Sequence, residues 1–249
     1  MNDRIVRENI FADPKLIAHR GLTNEAPENS NPAFRKAGEN GFWAIETDVH
    51  KTKDGILVCN HNQTVDEQYD GSVTIAEMSF SELKRYHFKG AWTKKYSPEE
   101  LSIPTFSDYL DACKKYGALP FIEIKIDDIK AVIEAALAIF SEDEIIISST
   151  DLKRLIDVRK YSERVFVHHI FSSQEAMELL CYQGPCGVSY NYPRLSSFPK
   201  DLLERTHSRG AKLCLRAGDT LEQAAEMIEI GLDYIPTNCI TPAQLKQYK

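Results

Sequence analysis

Five titratable side chains lie at the ends of short apolar runs: His19 in IAHRG, Glu46 and Asp48 in IETDV, His61 in CNHN and Glu123 in IEIK. Two cations, Arg20 and Lys125, stand beside them. Apolar runs of this length want burial as strands, so their polar ends would emerge together at one rim of a strand-built core. Glu46 and Asp48 are two residues apart, which puts both side chains on one face of a strand; Glu123 and Lys125 share a face for the same reason. Three carboxylates brought together repel one another and raise their own pKa values unless a cation joins them. Hard oxygen donors suit Mg²⁺ or Ca²⁺, and the chain has no Cys/His ligand cluster of the structural-zinc kind. Any one of these acids alone would be read as an ion-pair partner at a strand end. Their grouping with histidines is what points to a cation site.

His19 and His61 are the acid–base candidates. A histidine titrates near neutral pH, so one ring can accept a proton while the other gives one. Cleaving a phosphodiester needs both acts: the nucleophile loses a proton and the departing alkoxide gains one. Arg20 offers a planar fork to phosphoryl oxygens and Lys125 a compact point charge. His168, His169 and His207 read as structural histidines. His50 follows Asp48 on the same face, where a supporting role is an equal reading.

The elements that must position these residues alternate along the chain. Strand patterns fall at 16–21, 44–52, 56–61, 119–125, 144–150, 165–170, 187–192, 211–217 and 232–238. Helical patterns fall at 31–39, 105–116, 129–140, 152–161, 173–181, 200–208 and 221–230, with Val132, Ala135, Ala136 and Ile139 at clear helical spacing. Strands separated by single helices imply a parallel sheet covered by helices. Counting 44–61 as one strand with an extension leaves about eight units, which predicts an α/β fold, a (β/α)8 TIM barrel. An open doubly wound sheet is the alternative, but no glycine-rich nucleotide fingerprint follows the first strand. Residues 62–104 break the pattern. This polar stretch carries Tyr69, Trp92 and Tyr96 and one short helical pattern near 81–86, and it reads as a cap-like insertion over the barrel mouth, within one domain spanning 1–249.

The net charge of −7 argues against a general nucleic-acid binder and against a resident partner in an anionic membrane surface. The opening MNDRIVRENIFADPK has no apolar run of leader length, and no stretch approaches the roughly 18 apolar residues of a membrane span. A cytoplasmic protein without stable membrane insertion is the expectation. The six cysteines then read as structural thiols; Cys181 and Cys186 do not have zinc-ribbon spacing.

In this order, the motifs resemble those of the glycerophosphodiester phosphodiesterase family. The match runs through HRG at 19–21, PENSNPAF at 27–34, IETDV at 45–49, TKDG at 52–55, HN at 61–62, IPTFSDYL at 103–110, IEIK at 122–125, IISST at 146–150 and GLDYIPTN at 231–238. The resemblance implies a TIM barrel that hydrolyses small-molecule glycerophosphodiesters to glycerol 3-phosphate and an alcohol with one divalent cation, Mg²⁺ or Ca²⁺. It implies His19 and His61 as the acid–base pair, Glu46, Asp48 and Glu123 as metal ligands, and Arg20 and Lys125 as phosphate contacts. The nucleophile is water or the glycerol 2-hydroxyl.

Three departures stand out. The family usually has Asp after its second histidine, where this chain has Asn62. Near the seventh strand it usually reads WTVN, against Arg216, Ala217, Gly218 and Asp219 here. Near the eighth, its TD becomes Thr237–Asn238. Arg216 replaces an apolar wall with a cation, which predicts a substrate bearing an extra anionic or strongly polar group. The rivals are a lysophospholipase D or phosphoinositide-type phospholipase on the same barrel, which would want an exposed apolar rim, and a non-catalytic phosphate-ligand binder. A pure binder need not keep His19, His61, Glu46, Asp48 and Glu123 together.

Overall fold

The computed structural model describes residues 15–191, 195 and 198–247. The N-terminal stretch 1–14 and Tyr192, at the end of the expected 187–192 strand, lie outside them. The strands are β1 (Leu16–Ala18), β2 (Ala44–Lys51), β3 (Leu57–Cys59), β4 (Leu119–Ile124), β5 (Ile146–Ser149), β6 (Phe166–His169), β7 (Cys186–Ser189), β8 (Lys212–Cys214) and β9 (Ile235–Thr237). The helices are α1 (Asn31–Glu39), α2 (Phe80–Leu83), α3 (Phe106–Tyr116), α4 (Ile129–Leu137), α5 (Leu152–Val158), α6 (Gln174–Gln183), α7 (Lys200–Ser208), α8 (Leu221–Ile230) and α9 (Pro242–Gln247).

Eight strands run parallel in the order β8-β7-β6-β5-β4-β2-β1-β9. The two ends of that path meet: the Asp233 N–H donates to the Leu213 carbonyl at 2.9 Å and the Gly218 N–H to the Pro236 carbonyl at 2.8 Å. The result is a nearly closed (β/α)8 barrel, as the alternation predicted. β3 pairs with β2, antiparallel and outside the ring, so 44–61 is indeed one barrel strand with an extension.

Strand periodicity of two sorts the side chains. Ile17, Ala44, Phe121, Ile146, Phe166, Cys214 and Tyr234 fill the barrel interior as one apolar cluster. Their neighbours Ile45, Val49, Ile122, Ile147, Val167, Val188 and Leu213 pack outward in the larger core beneath the helices. Gly187 leaves the room that Tyr234 needs, since a side chain there would collide with the tyrosine hydroxyl. Glu46, Asp48 and Glu123 continue the inward rows towards the mouth. Side-chain caps start the helices, among them Ser30, Thr105, Asp128, Asp151, Ser173 and Thr220. Each contributes about 1 kcal/mol.

The strands end earlier at the mouth than the apolar runs suggested. β1 stops at Ala18 because Arg20 and Gly21 turn into left-handed backbone (φ 57° and 85°). At Gly21 an added Cβ would sit 2.6 Å from that of Ala33, so glycine lets α1 pack against the loop.

Residues 62–104 hold α2, with a Ser79–Glu82 capping box, and two 3₁₀ turns (Ile75–Glu77 and Ala91–Lys94). They build small apolar clusters around Val65, Tyr69, Ile75 and Leu83, and around Tyr96 and Leu101. The Tyr96 hydroxyl and Lys95 Nζ tie the segment to the Glu25 carbonyl at 2.9 and 2.8 Å. The six cysteines are free thiols, those of Cys181 and Cys186 in contact. No helix among the described residues is long and apolar enough to cross a membrane.

Candidate active site

Parallel register places Asp48 directly opposite Glu123 on β4, with Glu46 two residues earlier on β2. One carboxylate oxygen from each lies within 4.8 Å of the others. Asp48 is fully buried and Glu46 is 5% exposed. Burial, then repulsion from Asp48 and Glu123, raises Glu46 well above the usual carboxylate range; burial and Asp48 raise Glu123 as well. Asp48 goes the other way. Burial opposes its charge, but Lys125, the Asn29 amide and Arg20 together outweigh it.

Asp48 Oδ1 lies 3.0 Å from Lys125 Nζ, yet this buried oxygen accepts no well-directed hydrogen bond among the described residues. Three clustered carboxylates, one holding spare lone pairs, fit a hard divalent cation of the Mg²⁺ or Ca²⁺ kind.

The loop after β1 encloses this cluster. The left-handed turn at Arg20 aims its backbone N–H at Glu46 Oε2, 2.7 Å away. Its guanidinium Nη1 donates to both Glu28 oxygens at 3.1 and 2.9 Å, and its Nε lies 3.7 Å from Asp48 Oδ2. Asn29 is left-handed too (φ 49°) and donates its N–H to the Arg20 carbonyl at 2.9 Å. Its side-chain Nδ2 donates to Asp48 Oδ2 at 2.9 Å, while its Oδ1 accepts from the Thr47 hydroxyl at 2.7 Å. Left-handed backbone at a non-glycine residue costs on the order of 1–3 kcal/mol and persists only where surrounding bonds hold it. Sequence reasoning assigned no role to Glu28 or Asn29. The signal was the PEN motif, with an asparagine that tolerates such backbone.

His61 reaches the rim by way of the β2–β3 hairpin. The TKDG turn closes with the Thr52 N–H on the Ile56 carbonyl at 2.9 Å and Gly55 at φ 86°. The returning chain donates the Asn60 N–H to the Asp48 carbonyl at 3.0 Å, which sets His61 beside the acids. His19 follows β1, its N–H on the Thr237 carbonyl at 3.0 Å and its ring Nδ1 2.9 Å from Asn238 Oδ1. Burial, the largest effect, holds the His19 ring below the usual histidine range. His50 Nε2 lies 3.3 Å from the His61 carbonyl, a supporting position. Asn62 donates to Glu67 Oε2 at 2.7 Å.

Each of the three histidines read as structural has a side-chain hydrogen-bond partner, and His168 also lines the cavity that His19 and His61 share. His168 Nδ1 meets the Tyr234 hydroxyl at 2.6 Å in the barrel interior, His169 Nδ1 meets Ser172 Oγ at 2.9 Å, and His207 pairs with Asp233 at 2.8 Å.

His19, Arg20, Glu46, His61, Glu123 and Lys125 line one cavity of about 410 Å³. Arg216, Ile170, Phe171 and Leu215 line the same cavity. Phe171, unforeseen from sequence, is 63% exposed and left-handed (φ 56°), and it supplies apolar surface there. A second cavity of about 460 Å³ shares His61 and Lys125 and extends to Gln63 and Thr74 of the 62–104 segment.

Residues 19–240 match the model of the Glycerophosphoryl diester phosphodiesterase family. The chain belongs to this family. It is accordingly an enzyme, a phosphoric diester hydrolase. A glycerophosphodiester phosphodiesterase of Caldanaerobacter subterraneus subsp. tengcongensis is 28% identical over 235 residues, spanning 90% of this chain and 93% of the relative. Mouse glycerophosphodiester phosphodiesterase 1 is 31% identical over 109 residues, 44% of this chain and 33% of the mouse protein. Among solved structures, an Oleispira antarctica phosphodiesterase in complex with the product sn-glycerol-3-phosphate superposes with a TM-score of 0.80, at 23% identity, over 94% of this chain and 96% of the other. A Thermotoga maritima glycerophosphodiester phosphodiesterase gives 0.71 at 22% identity, over 93% and 95%. These structures share the fold.

Within this phosphodiesterase, the departures from the family pattern gather at the mouth. Arg216 lines the cavity and forms no ion pair or hydrogen bond among the described residues. Asp219 and Asn238 are bonded to each other, Asn238 Nδ2 on Asp219 Oδ2 at 2.7 Å.

Proposed function

We propose that this phosphodiesterase hydrolyses glycerophosphodiesters to glycerol 3-phosphate and an alcohol by paired-histidine acid–base catalysis with one divalent cation. The convergence of two histidines, two acids and two cations on a single cavity, with buried Asp48 clustered against both acids, carries the reading. Glu46, Asp48 and Glu123 would hold the cation, Mg²⁺ or Ca²⁺, which when bound offsets negative charge on the phosphoryl oxygens. Lys125 reaches the cavity from between Asp48 and Glu123, and Arg20 is oriented by Glu28; both present positive charge to a phosphate. One histidine takes the proton from the nucleophile and the other delivers one to the departing alkoxide. The 62–104 segment caps the site within a single barrel domain. The names of the relatives, and the product held by the Oleispira enzyme, support the substrate class.

Arg216 refines the substrate. A cation lining the same cavity as the catalytic groups favours an alcohol moiety that is anionic or strongly polar.

The test is a hydrolysis assay over glycerophosphodiesters with cationic, neutral and anionic head groups, a lysophospholipid and an analogue lacking the 2-hydroxyl, each with and without chelator. Chelator-sensitive release of glycerol 3-phosphate that disappears in His19→Ala is the expected result. A panel without turnover by the wild type would leave a phosphate-ligand binder in its place. Loss of turnover on the 2-deoxy analogue identifies the substrate hydroxyl as nucleophile; retained turnover identifies water.

A further inference from the structure

The Asp219 carboxylate can only accept hydrogen bonds. Its Oδ1 takes the Asn238 N–H at 2.7 Å and the Thr237 hydroxyl at 3.3 Å, and its Oδ2 takes the Asn238 side-chain amide at 2.7 Å. The atom of Asn238 that faces Asp219 is therefore the nitrogen, and Oδ1 must face the other way. It lies 2.9 Å from Nδ1 of His19, with the Thr23 hydroxyl at 3.5 Å. An amide oxygen only accepts, so Nδ1 is the ring nitrogen that carries the proton. A neutral imidazole has a single N–H, which leaves Nε2 with its lone pair.

We propose that Asp219 and Asn238 are positioning residues that lock His19 in its Nδ1–H tautomer and thereby make His19, through Nε2, the general base of the reaction. His61 is then the acid that protonates the leaving alkoxide. This rests on the reading of His19 and His61 as the acid–base pair. The relay sits on the seam where the barrel closes: Asp219 follows β8, Asn238 follows β9 and His19 follows β1, and the Gly218 N–H on the Pro236 carbonyl (2.8 Å) stitches the first two together. An amide in contact with the ring orients it without placing another anion there, while the carboxylate that fixes the amide stays one residue further out. The sequence agrees with this arrangement. Of the three departures from the family pattern, two exchange an acid and an amide: Asp219 stands where Asn is usual and Asn238 where Asp is usual. They are the two partners of one hydrogen bond.

A ¹⁵N-histidine spectrum of the wild-type protein reads the tautomer directly, with the His19 signals assigned by their loss in His19→Gln. Protonated Nδ1 and bare Nε2 are expected; a proton on Nε2 overturns the proposal even if no variant folds. In kinetics, Asp219→Asn frees the Asn238 amide to turn over, and kcat should fall about 10- to 100-fold, part of what an acid–base group contributes. KM should stay within about twofold, because ground-state binding is untouched. Asn238→Asp sets two carboxylates face to face and should fall similarly. The exchanged pair, Asp219→Asn with Asn238→Asp, should recover kcat to within about threefold of wild type, a coupling that independent structural damage would not produce. Wild-type kcat in Asp219→Asn, or an exchanged pair no faster than the slower single variant, overturns the relay. Full activity in His19→Ala would instead overturn the acid–base reading on which the relay rests.

Discussion

Asp48 and Glu123 face each other across paired β2 and β4, and Lys125 Nζ stands 3.0 Å from the first and 2.5 Å from the second. The lysine offsets part of the charge of the acids while Glu46, on the other side of Asp48, has the Arg20 N–H on Oε2. The cluster is short of positive charge, and that shortage makes predictions.

Glu46→Gln, Asp48→Asn and Glu123→Gln should each lower hydrolysis by about 10²-fold or more, consistent with a cation worth several kcal/mol of charge stabilisation. Millimolar Mg²⁺ or Ca²⁺ should raise the melting temperature of the wild type and not of these variants. Without cation the order changes. Glu46 is pushed up by burial and by repulsion from Asp48 and Glu123, so its neutral isostere should melt no lower than wild type. A chelated Glu46→Gln protein that melts well below chelated wild type would show that these acids serve structure instead.

His19→Ala and His61→Ala should each cost about 10²- to 10⁴-fold in kcat. A base works in its neutral form, so activity is lost as pH falls through its pKa. Burial holds His19 below the ordinary value of 6.5, which places the acid limb of kcat/KM below pH 6.5. A limb above that value contradicts His19 as the base.

Arg216→Ala should lower kcat/KM for anionic head groups by about two- to fivefold, since an exposed charge pair is worth at most about 1 kcal/mol. Neutral head groups should be unaffected, and raised salt should shrink the difference. Equal kinetics for the variant and wild type across the panel would remove Arg216 from substrate selection.

His168 makes a prediction about stability. Burial is the main cause pushing its ring down to about 3 from an ordinary 6.5. The unfolded chain therefore binds a proton that the folded one refuses. This contribution is fully present above about pH 6.5 and is lost as pH falls towards about 3, at about 1.4 kcal/mol per pH unit in that window. Urea melts at pH 7 and pH 5 should show this slope in the wild type and a shallower one in His168→Gln, whatever the variant's stability at pH 7.

Much of the site was legible because side-chain facing is local. Glu46 and Asp48 share a face wherever β2 is placed, and the same holds for Glu123 and Lys125, since strand periodicity depends on neither partner nor register. The βα alternation was legible for the same reason, through apolar spacing and caps such as Thr105 and Thr220. By itself the sequence therefore determined the kind of fold, the family and the acids, histidines and cations at the strand ends.

Tertiary structure decided which of these meet. Register across β2 and β4 sets Asp48 against Glu123, and the hairpin's return sets His61 beside Asp48. The left-handed turns at Arg20 and Asn29 follow from bonds to Glu46 and Asp48, which a linear reading does not contain. Asp219 and Asn238 are the clearest case. In sequence they are two unrelated losses; in the closed barrel they form one bonded pair that ends on His19, 219 positions from Asn238 along the chain. Local patterning fixes what a side chain faces, but only the closure of the ring fixes what faces it.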